Sequence, residues 1–478
     1  MHMDLASLMP ALPEIVLLTA ACAILVLDLF LPEQRRELTY VFSLVALAAA
    51  AAATVWVGGG PRDVVFHGNI VRDPMADALK LAIFLVTLIG FVYSRSYLQV
   101  RRLFMGEFYV LGLFAALGMS VIASAASLLT AYLGLELLAL SLYALVAFDR
   151  DSPAGSEAAM KYFVLGALAS GLLLYGMSML YGATGSLSFA TVGQRLAEQP
   201  ADQTVLVFGL VFIVIGVAFK FGAVPFHMWV PDVYHGAPAP VTLLVGSAPK
   251  IAAFALAFRL LSDGMSVLHP HWQGMLILLA VLSLALGNLV AIAQTNLKRM
   301  LAYSTIAHVG FIFLGLLAGT PDGMAAGMFY AILYALMAAG GFGVVVLLSR
   351  EGLEAERIED LRGLNQRSPW FAGMMLLLMF SMAGVPPTAG FFAKLFVLDA
   401  VVDVDLVWLA LVGVFFSIIG AFYYLRVVKV MYFDKPTDDS PLRAPADAQW
   451  VLSLNGLAML ALGFFPAGLL SVCLAAVS

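Results

Sequence analysis

The stretch Lys220-Phe-Gly-Ala-Val-Pro-Phe-His-Met-Trp-Val-Pro-Asp232 decides the fold. It interrupts an apolar run, Val205–Phe221, that resumes as Phe226–Tyr234. Proline removes a backbone donor and clashes with the preceding turn, so a helix through Pro225 must break. At membrane depth the freed backbone groups survive only against protein or a wet cavity. The same grammar returns downstream. Phe371–Met382 runs into Gly384-Val-Pro-Pro387 and resumes as Thr388–Ala400. Two interrupted helices, with a lysine just before the first break (Lys220) and another just after the second (Lys394), define what the rest of the chain must accommodate.

Working outward, the 478 residues are 62% hydrophobic and only 12% charged. Soluble chains carry about 25% charged residues, so lipid is the solvent for most of this one. A span needs about 20 apolar residues. Ile15–Phe30, Leu38–Val57, Leu79–Tyr93 and Leu276–Ile292 are simple cases, and marking every such run predicts about fourteen helices. None alternates with period two, which excludes a membrane barrel. Met1–Pro13 lacks the basic flank of a cleaved signal peptide. Cys22 and Cys473 stand near opposite ends of the chain, too far apart in sequence for a CxxC metal or iron–sulfur motif. No GxGxxG follows a strand and no Walker A loop occurs, so no nucleotide, flavin, metal or cluster site is expected in this chain. A net charge of −5 without a basic patch gives no sign of nucleic acid.

The basic residues flanking helices are one-sided. With helices numbered in order, odd loops hold Arg35, Arg36, Arg95, Arg101, Arg102, Arg150, Lys298, Arg299 and every flanking lysine or arginine from Arg350 to Arg443. Even loops hold only Arg62, Arg72, Arg195 and Arg259. The positive-inside rule places odd loops in the cytoplasm and both termini outside. The two breaks fall in helices seven and twelve. Paired broken helices in corresponding places point to inverted repeats around an ion path. The expected organisation is an all-α polytopic membrane protein. Residues 1–105 form helices 1–3, 106–263 and 273–433 form two inverted five-helix repeats (helices 4–8 and 9–13), and 449–478 form helix 14. Arg350–Ser368 reads as a charged, partly helical cytoplasmic connection and Asp434–Gln449 as an acidic loop. The competing reading of the prolines is that they only kink helices for packing.

Four charges lie deep in these spans: Glu136, Lys220, Lys250 and Lys394. Each costs roughly 2.5–3.5 kcal/mol at a helix centre, and such residues mark ion pathways. Lysine suits this work. Its reference pKa of about 10.4 can fall by 3–5 units on burial, and a nearby carboxylate reverses that, so moving the carboxylate loads or releases a proton. Arginine stays protonated and cannot do this. Glu136 and Lys220 are therefore expected to act as a switch, with Lys250 and Lys394 as relay stations. The alternative is a static Glu136–Lys220 pair joining two helices, which leaves Lys250 and Lys394 without a role. His227, His308, Ser304 and Tyr303 are candidates for completing water-mediated steps, against a purely structural role for either histidine. Lys161, close to Arg150 and Glu157, reads either as a further station or as a side chain snorkelling to the interface. Lys80 reads as a snorkelling residue.

Three stretches resemble the antiporter-like membrane subunits of respiratory complex I: Lys220–Asp232, Leu297-Lys-Arg-Met-Leu-Ala-Tyr-Ser-Thr-Ile-Ala-His-Val-Gly310 and Gly384-Val-Pro-Pro-Thr-Ala-Gly-Phe-Phe-Ala-Lys394. Within that family, Pro231-Asp-Val-Tyr-His-Gly-Ala-Pro238 and Ser247-Ala-Pro-Lys-Ile-Ala252 are similar to the subunit N branch of bacterial NADH-quinone oxidoreductase. Lysine at 394, where the M branch carries glutamate, and the lack of a long lateral C-terminal helix, as in the L branch, set those two aside. The resemblance implies a proton-translocating subunit of a bacterial inner-membrane complex, with Glu136, Lys220, Lys250 and Lys394 at the family's key positions. It implies no redox centre in this chain, with FMN, iron–sulfur clusters and quinone in partner subunits. The implied neighbours are antiporter-like subunit M, small subunits such as K, and lipids. A subunit of a multi-subunit cation/proton antiporter or hydrogenase-linked complex, and a non-pumping scaffold, are the alternatives.

Overall fold

The computed structural model describes residues 8–198, 204–349, 354–436 and 444–477. Part of the charged connection (350–353) and of the acidic loop (437–443) lie outside them. The described residues are mostly helical: α1 (Leu12–Asp28), α2 (Glu37–Val57), α3 (Pro74–Val100), α4 (Gly106–Ala123), α5 (Leu128–Val146), α6 (Pro153–Thr184), the short α7 (Phe189–Ala197), α8 (Thr204–Phe221), α9 (Trp229–Gly236), α10 (Ala239–Gly246), α11 (Ala248–Ala257), α12 (His269–Ala293), α13 (Leu297–Ala318), α14 (Pro321–Leu348), the single turn α15 (Leu364–Arg367), α16 (Pro369–Ala383), α17 (Ala389–Asp403), α18 (Val407–Phe433), α19 (Ala446–Phe464) and α20 (Pro466–Val477). The Gly-rich loop after α2 folds into a small antiparallel hairpin, Asp63–Val65 against Ile70–Arg72.

Among the described residues, 12 helices are long and apolar enough to cross a membrane, and 13 when α19 and α20, bent by 81° at Pro466, count as one span. The remaining span of the sequence reading, its helix twelve, is α16 plus α17, 15 residues each, neither long enough alone. Proline opens many of these helices at the first turn, where its missing N–H is not needed. Asp73 before Pro74, Ser152 before Pro153 and Thr320 before Pro321 each cap the next helix with a side-chain oxygen.

The core is centred on α10, α11, α13 and α14, whose side chains are almost all buried. The apolar run Val241–Leu261, which carries Lys250, is interrupted at Ser247, whose φ of −113° and ψ of −96° are not helical. The segment then ends in a π turn at Phe258–Asp263.

Contacts made in the first half of the chain recur in the second. A Cβ on Gly118 would meet Gly134 O and Leu138 N at 2.7 and 2.6 Å, and one on Gly287 would meet Tyr303 O and Ala307 N at 2.9 and 2.6 Å. Each partner lies 287 − 118 = 169 positions on. The same offset links two isolated bridges, Ser127 to Ser188 and Asn296 to Arg357. It also links their flanking bonds, Leu128 N to Leu187 O at 2.9 Å and Leu297 N to Glu356 O at 2.5 Å. α4–α5 and α12–α13 are thus the same close-packed hairpin, each clasped by a later loop.

Candidate functional site

The two breaks share one backbone design. α8 ends at Gly222 (φ 79°) and α16 at Gly384 (φ 84°), both left-handed, a conformation glycine adopts without steric penalty. Gly222 N donates to Ala218 O and Phe219 O, and Ala223 N to Ala218 O. Gly384 N donates to Phe380 O and Ser381 O, and Val385 N to Phe380 O. Here the offset is 384 − 222 = 162. The Val224–Pro225 and Pro386–Pro387 peptide bonds, also 162 apart, are both cis.

Breaking a helix frees its last carbonyls, and a lysine takes one at each break. Lys250 Nζ donates to Phe221 O at 2.9 Å. Lys394 Nζ donates to Ala383 O at 2.8 Å and to Ser417 Oγ at 2.9 Å. Phe221 and Ala383 are again 162 apart. The structural counterpart of Lys394 is therefore Lys250 on the neighbouring α11, not Lys220. Each ammonium also stands 5.2 Å from the centre of an aromatic ring, Trp229 for Lys250 and Phe311 for Lys394. A cation over a ring face is attracted to it, more so when desolvated.

Lys220 and Lys250 line one small cavity with Tyr162, Trp229 and Pro249, of about 20 Å³, which is room for about one water. Lys220 Nζ donates to Ser170 Oγ at 3.2 Å. Glu136, in the middle of α5, is not in direct ion contact with Lys220. Its charge acts on that lysine across a gap, and its Oε1 is buried without a hydrogen-bond partner. The static ion pair weighed from sequence is thus absent from this conformation.

Around Lys394 a neutral polar cluster replaces the carboxylate. His308 Nδ1 meets the Tyr330 hydroxyl at 2.7 Å and its Nε2 meets the Tyr424 hydroxyl at 3.0 Å. Tyr424 and Ser304 hydroxyls are 2.5 Å apart. Tyr334 OH donates to Thr305 Oγ1 at 2.7 Å and lies 3.2 Å from Gly246 O, one turn before Lys250. Thr305 occupies the place of Glu136, 169 positions on. His308, Lys394, Ser417, Tyr423 and Tyr424 line a cavity of about 10 Å³. Tyr303 is only partly buried. His227 lies within the first break with Nδ1 unpartnered. Lys161 is 43% exposed and bonded to Asp232 and Glu157 at 2.7 and 2.8 Å, away from the cavities.

Three residues differ from their sequence reading. Lys80 is fully buried and ion-paired with Glu14 at 2.7 Å, so it does not snorkel. Arg259, counted above as a loop residue, is 1% exposed and held by Asp73 and Asp263 at 2.7 and 2.8 Å. Burial alone would raise the Asp73 carboxyl, but the Arg259 guanidinium holds it below the usual range. Lys298, also counted in a loop, is 1% exposed and paired with Glu356 at 2.9 Å. Glu14, a lone acid in the first turn of α1, and the Arg259/Asp263 spacing of one helical turn were the available signals.

Repeated helix hairpins, two broken helices and an ammonium on each broken end define an antiporter-like membrane subunit. A family described as NADH:quinone oxidoreductase/Mrp antiporter, transmembrane, matches residues 125–420. NADH-quinone oxidoreductase subunit N of Thioalkalivibrio sulfidiphilus is 59% identical, covering 100% of both chains. That of Thiobacillus denitrificans is 57% identical over 100% of this chain and 99% of its own. A chain of respiratory complex I from Thermus thermophilus superposes with a TM-score of 0.84 at 33% identity, over 97% of this chain and 100% of its own. The chain belongs to this antiporter-like family, in its NADH-quinone oxidoreductase subunit N branch.

Proposed function

We propose that protons cross this subunit along Glu136, Lys220, Lys250 and Lys394, with Tyr334, Thr305 and His308 bridging the last two. As a member of the subunit N branch, the chain is a proton-translocating membrane-arm subunit of bacterial NADH-quinone oxidoreductase, multi-pass in the membrane. The observation that carries the relay is the pair of lysines, Lys250 and Lys394, on equivalent freed carbonyls of two equivalent breaks. A proton taken up at Lys220 under the field of Glu136 passes through the shared cavity to Lys250. From there the Tyr334 and Thr305 hydroxyls and His308 lead toward Lys394. Release works against about 2.3 kcal/mol per charge per 100 mV, energy that must come from electron transfer elsewhere in the complex.

The finer expectations complete this reading. The repeats comprise residues 106–263 and 273–433, inverted because five spans separate equivalents. Odd loops face the cytoplasm and both termini the outside of a bacterial inner membrane. FMN, iron–sulfur clusters and quinone belong to partner subunits, and the neighbours are subunit M and small subunits such as K. Lys220→Ala in the assembled complex, reconstituted in proteoliposomes, is expected to impair NADH-driven proton uptake and quinone reduction. Normal pumping by that assembled variant would sink the relay and leave the chain a scaffold.

A further inference from the structure

A large cavity on one face of the molecule takes no part in the relay above. It is about 960 Å³, lined among others by His235, Asn296, Glu356, Arg362, Arg426 and Val430, and lies where odd-numbered loops gather. The helices that build its floor also build the Lys394 cavity. Gln294, which caps the end of α12, lines the first, and Asn288 within α12 lines the second. α18 gives Val430 and Arg426 to the first, then Tyr424, Tyr423, Gly420 and Ser417 to the second. α13 begins beside the first at Asn296 and reaches the second at His308. At 1.5 Å per residue, Arg426 stands only about 3–5 Å along the axis from Tyr424 and Tyr423. None of these helices brings Glu136 or Lys220 near the vestibule.

The first half of the chain shows what a closed version looks like. Arg259 donates to Ala123 O at 2.9 Å, and Arg426 donates to Ile292 O at 2.8 Å, where Ala123 and Ile292 are 169 apart. Arg259 is sealed in by two carboxylates. Arg426 has no carboxylate partner among the described residues; it holds the Ile292 and Gln294 carbonyls and faces open space. The clasping loop differs in the same sense. Glu356 and Lys298 are ion-paired at the vestibule, whereas Leu187 and Leu129 occupy the equivalent places in the first half.

We propose that this vestibule is a second cytoplasmic mouth, through which protons reach Lys394 directly past Arg426, Tyr424, Ser304 and His308. The inference rests on the orientation and on the role of Lys394 proposed above. The step is proton exchange alone. A proton from vestibule water adds to one side of a hydroxyl or imidazole, another leaves its far side, and the last lands on the neutral Lys394 amine. No group is oxidised, and one positive charge moves inward. Arg426 is a positioning residue, fixing the neck by its two carbonyl bonds.

A bulky, membrane-impermeant cationic thiol reagent tests this in the assembled complex. Val430→Cys is made in a background of Cys22→Ser and Cys473→Ser, with Thr295→Cys at the rim as the substitute if assembly fails. In inside-out vesicles, whose outer face is cytoplasmic, labelling is expected to cut NADH-driven proton uptake severalfold, and removal of the label by reductant to restore it. Labelling with undiminished uptake overturns the proposal. Labelling only from the opposite face overturns it through the orientation. A separate Lys394→Ala variant distinguishes the relay reading: full pumping there defeats the relay itself, whereas an ineffective block defeats only the second mouth.

Discussion

The two halves of this chain share a backbone and not a charge distribution. Gly118 and Gly287, the two left-handed glycines, and the carbonyls of Phe221 and Ala383 coincide under constant offsets. Glu136 becomes Thr305, the Lys250 ammonium gives way to one on the broken helix itself, and Leu129 with Leu187 become Lys298 with Glu356. Hairpin packing and helix breaking are backbone demands, met by glycine and proline wherever the fold is copied. Charges serve only the path each half lines, so they are free to differ. On the relay proposed above, the first half is a carboxylate-driven loading site, sealed at its far end by the Arg259 ion pairs. The second is a neutral hydroxyl and imidazole cluster beneath an open vestibule.

The sharpest break of this comparison is at the equivalent arginines. Arg259→Ala strands the buried Asp73 carboxylate, while Asp263 keeps Arg62, and should cost about 3–5 kcal/mol, the penalty for breaking a buried ion pair. Arg426→Ala strands only carbonyls beside an open cavity and should cost about 1–3 kcal/mol. Thermal unfolding of the solubilised complex, read on this subunit by proteolysis, gives the order. Equal losses would mean that Arg426 is as enclosed as Arg259.

Next in size is the pair Glu136 and Thr305. Losing the carboxylate in Glu136→Gln removes about 1–2 kcal/mol of attraction for a loaded Lys220, which corresponds to roughly tenfold in pumping rate. Thr305→Val, isosteric at the equivalent place, removes one bridging hydroxyl bonded to Tyr334 but no charge beside a lysine, so it should cost less than Glu136→Gln. The initial rate of NADH-driven proton uptake in proteoliposomes tests both, and a larger loss at Thr305 would reverse the assignment of the driving half.

A smaller effect is a pH dependence confined to the second half. Burial pushes the Glu356 carboxyl up, but hydrogen bonding from His235 and the Lys298 ammonium hold it down to about 2, against an ordinary 4.5. A folded value below the unfolded one gives stability that is complete above about 4.5 and lost as pH falls toward about 2. Acid should therefore loosen the clasp at Glu356 before the leucine clasp at Leu187. Hydrogen exchange of the Leu297 amide compared with Leu128 between pH 5 and 3 reads it, and Glu356→Gln should abolish the difference.

Much of this was legible in the sequence because the fold's demands are local. Both proline breaks, the apolar spans and the deep charges Glu136, Lys220, Lys250 and Lys394 announce themselves within a dozen residues. The break at Ser247 was less visible: Ser247-Ala-Pro249 carries a proline, but the surrounding apolar run masks a one-residue departure from helix. What joins distant segments could not be read. Glu14 lies 66 positions from Lys80, Asp73 lies 186 from Arg259, and the tyrosines around His308 come from α14 and α18. In the sequence Lys220 precedes its break while Lys394 follows its own, so these two lysines do not match. Only the carbonyls they face reveal Lys250 as the true counterpart.

The least effect is expected at Lys161, and it is informative for that reason. In the first half, a lysine one span from the break is a tempting fifth station. Its ammonium is instead 43% exposed and shared between Glu157 and Asp232, with Arg299 on the other oxygen of Asp232 at 2.9 Å. Exposed pairs of this kind are screened by solvent and contribute little, and neither relay cavity includes this residue. Lys161→Ala should therefore assemble and pump as the parent does, with Arg299 keeping Asp232 neutralised. A loss of pumping on the scale of Glu136→Gln would show that the first half loads its protons through the Asp232 cluster, and the path into Lys220 would have to be redrawn from that side.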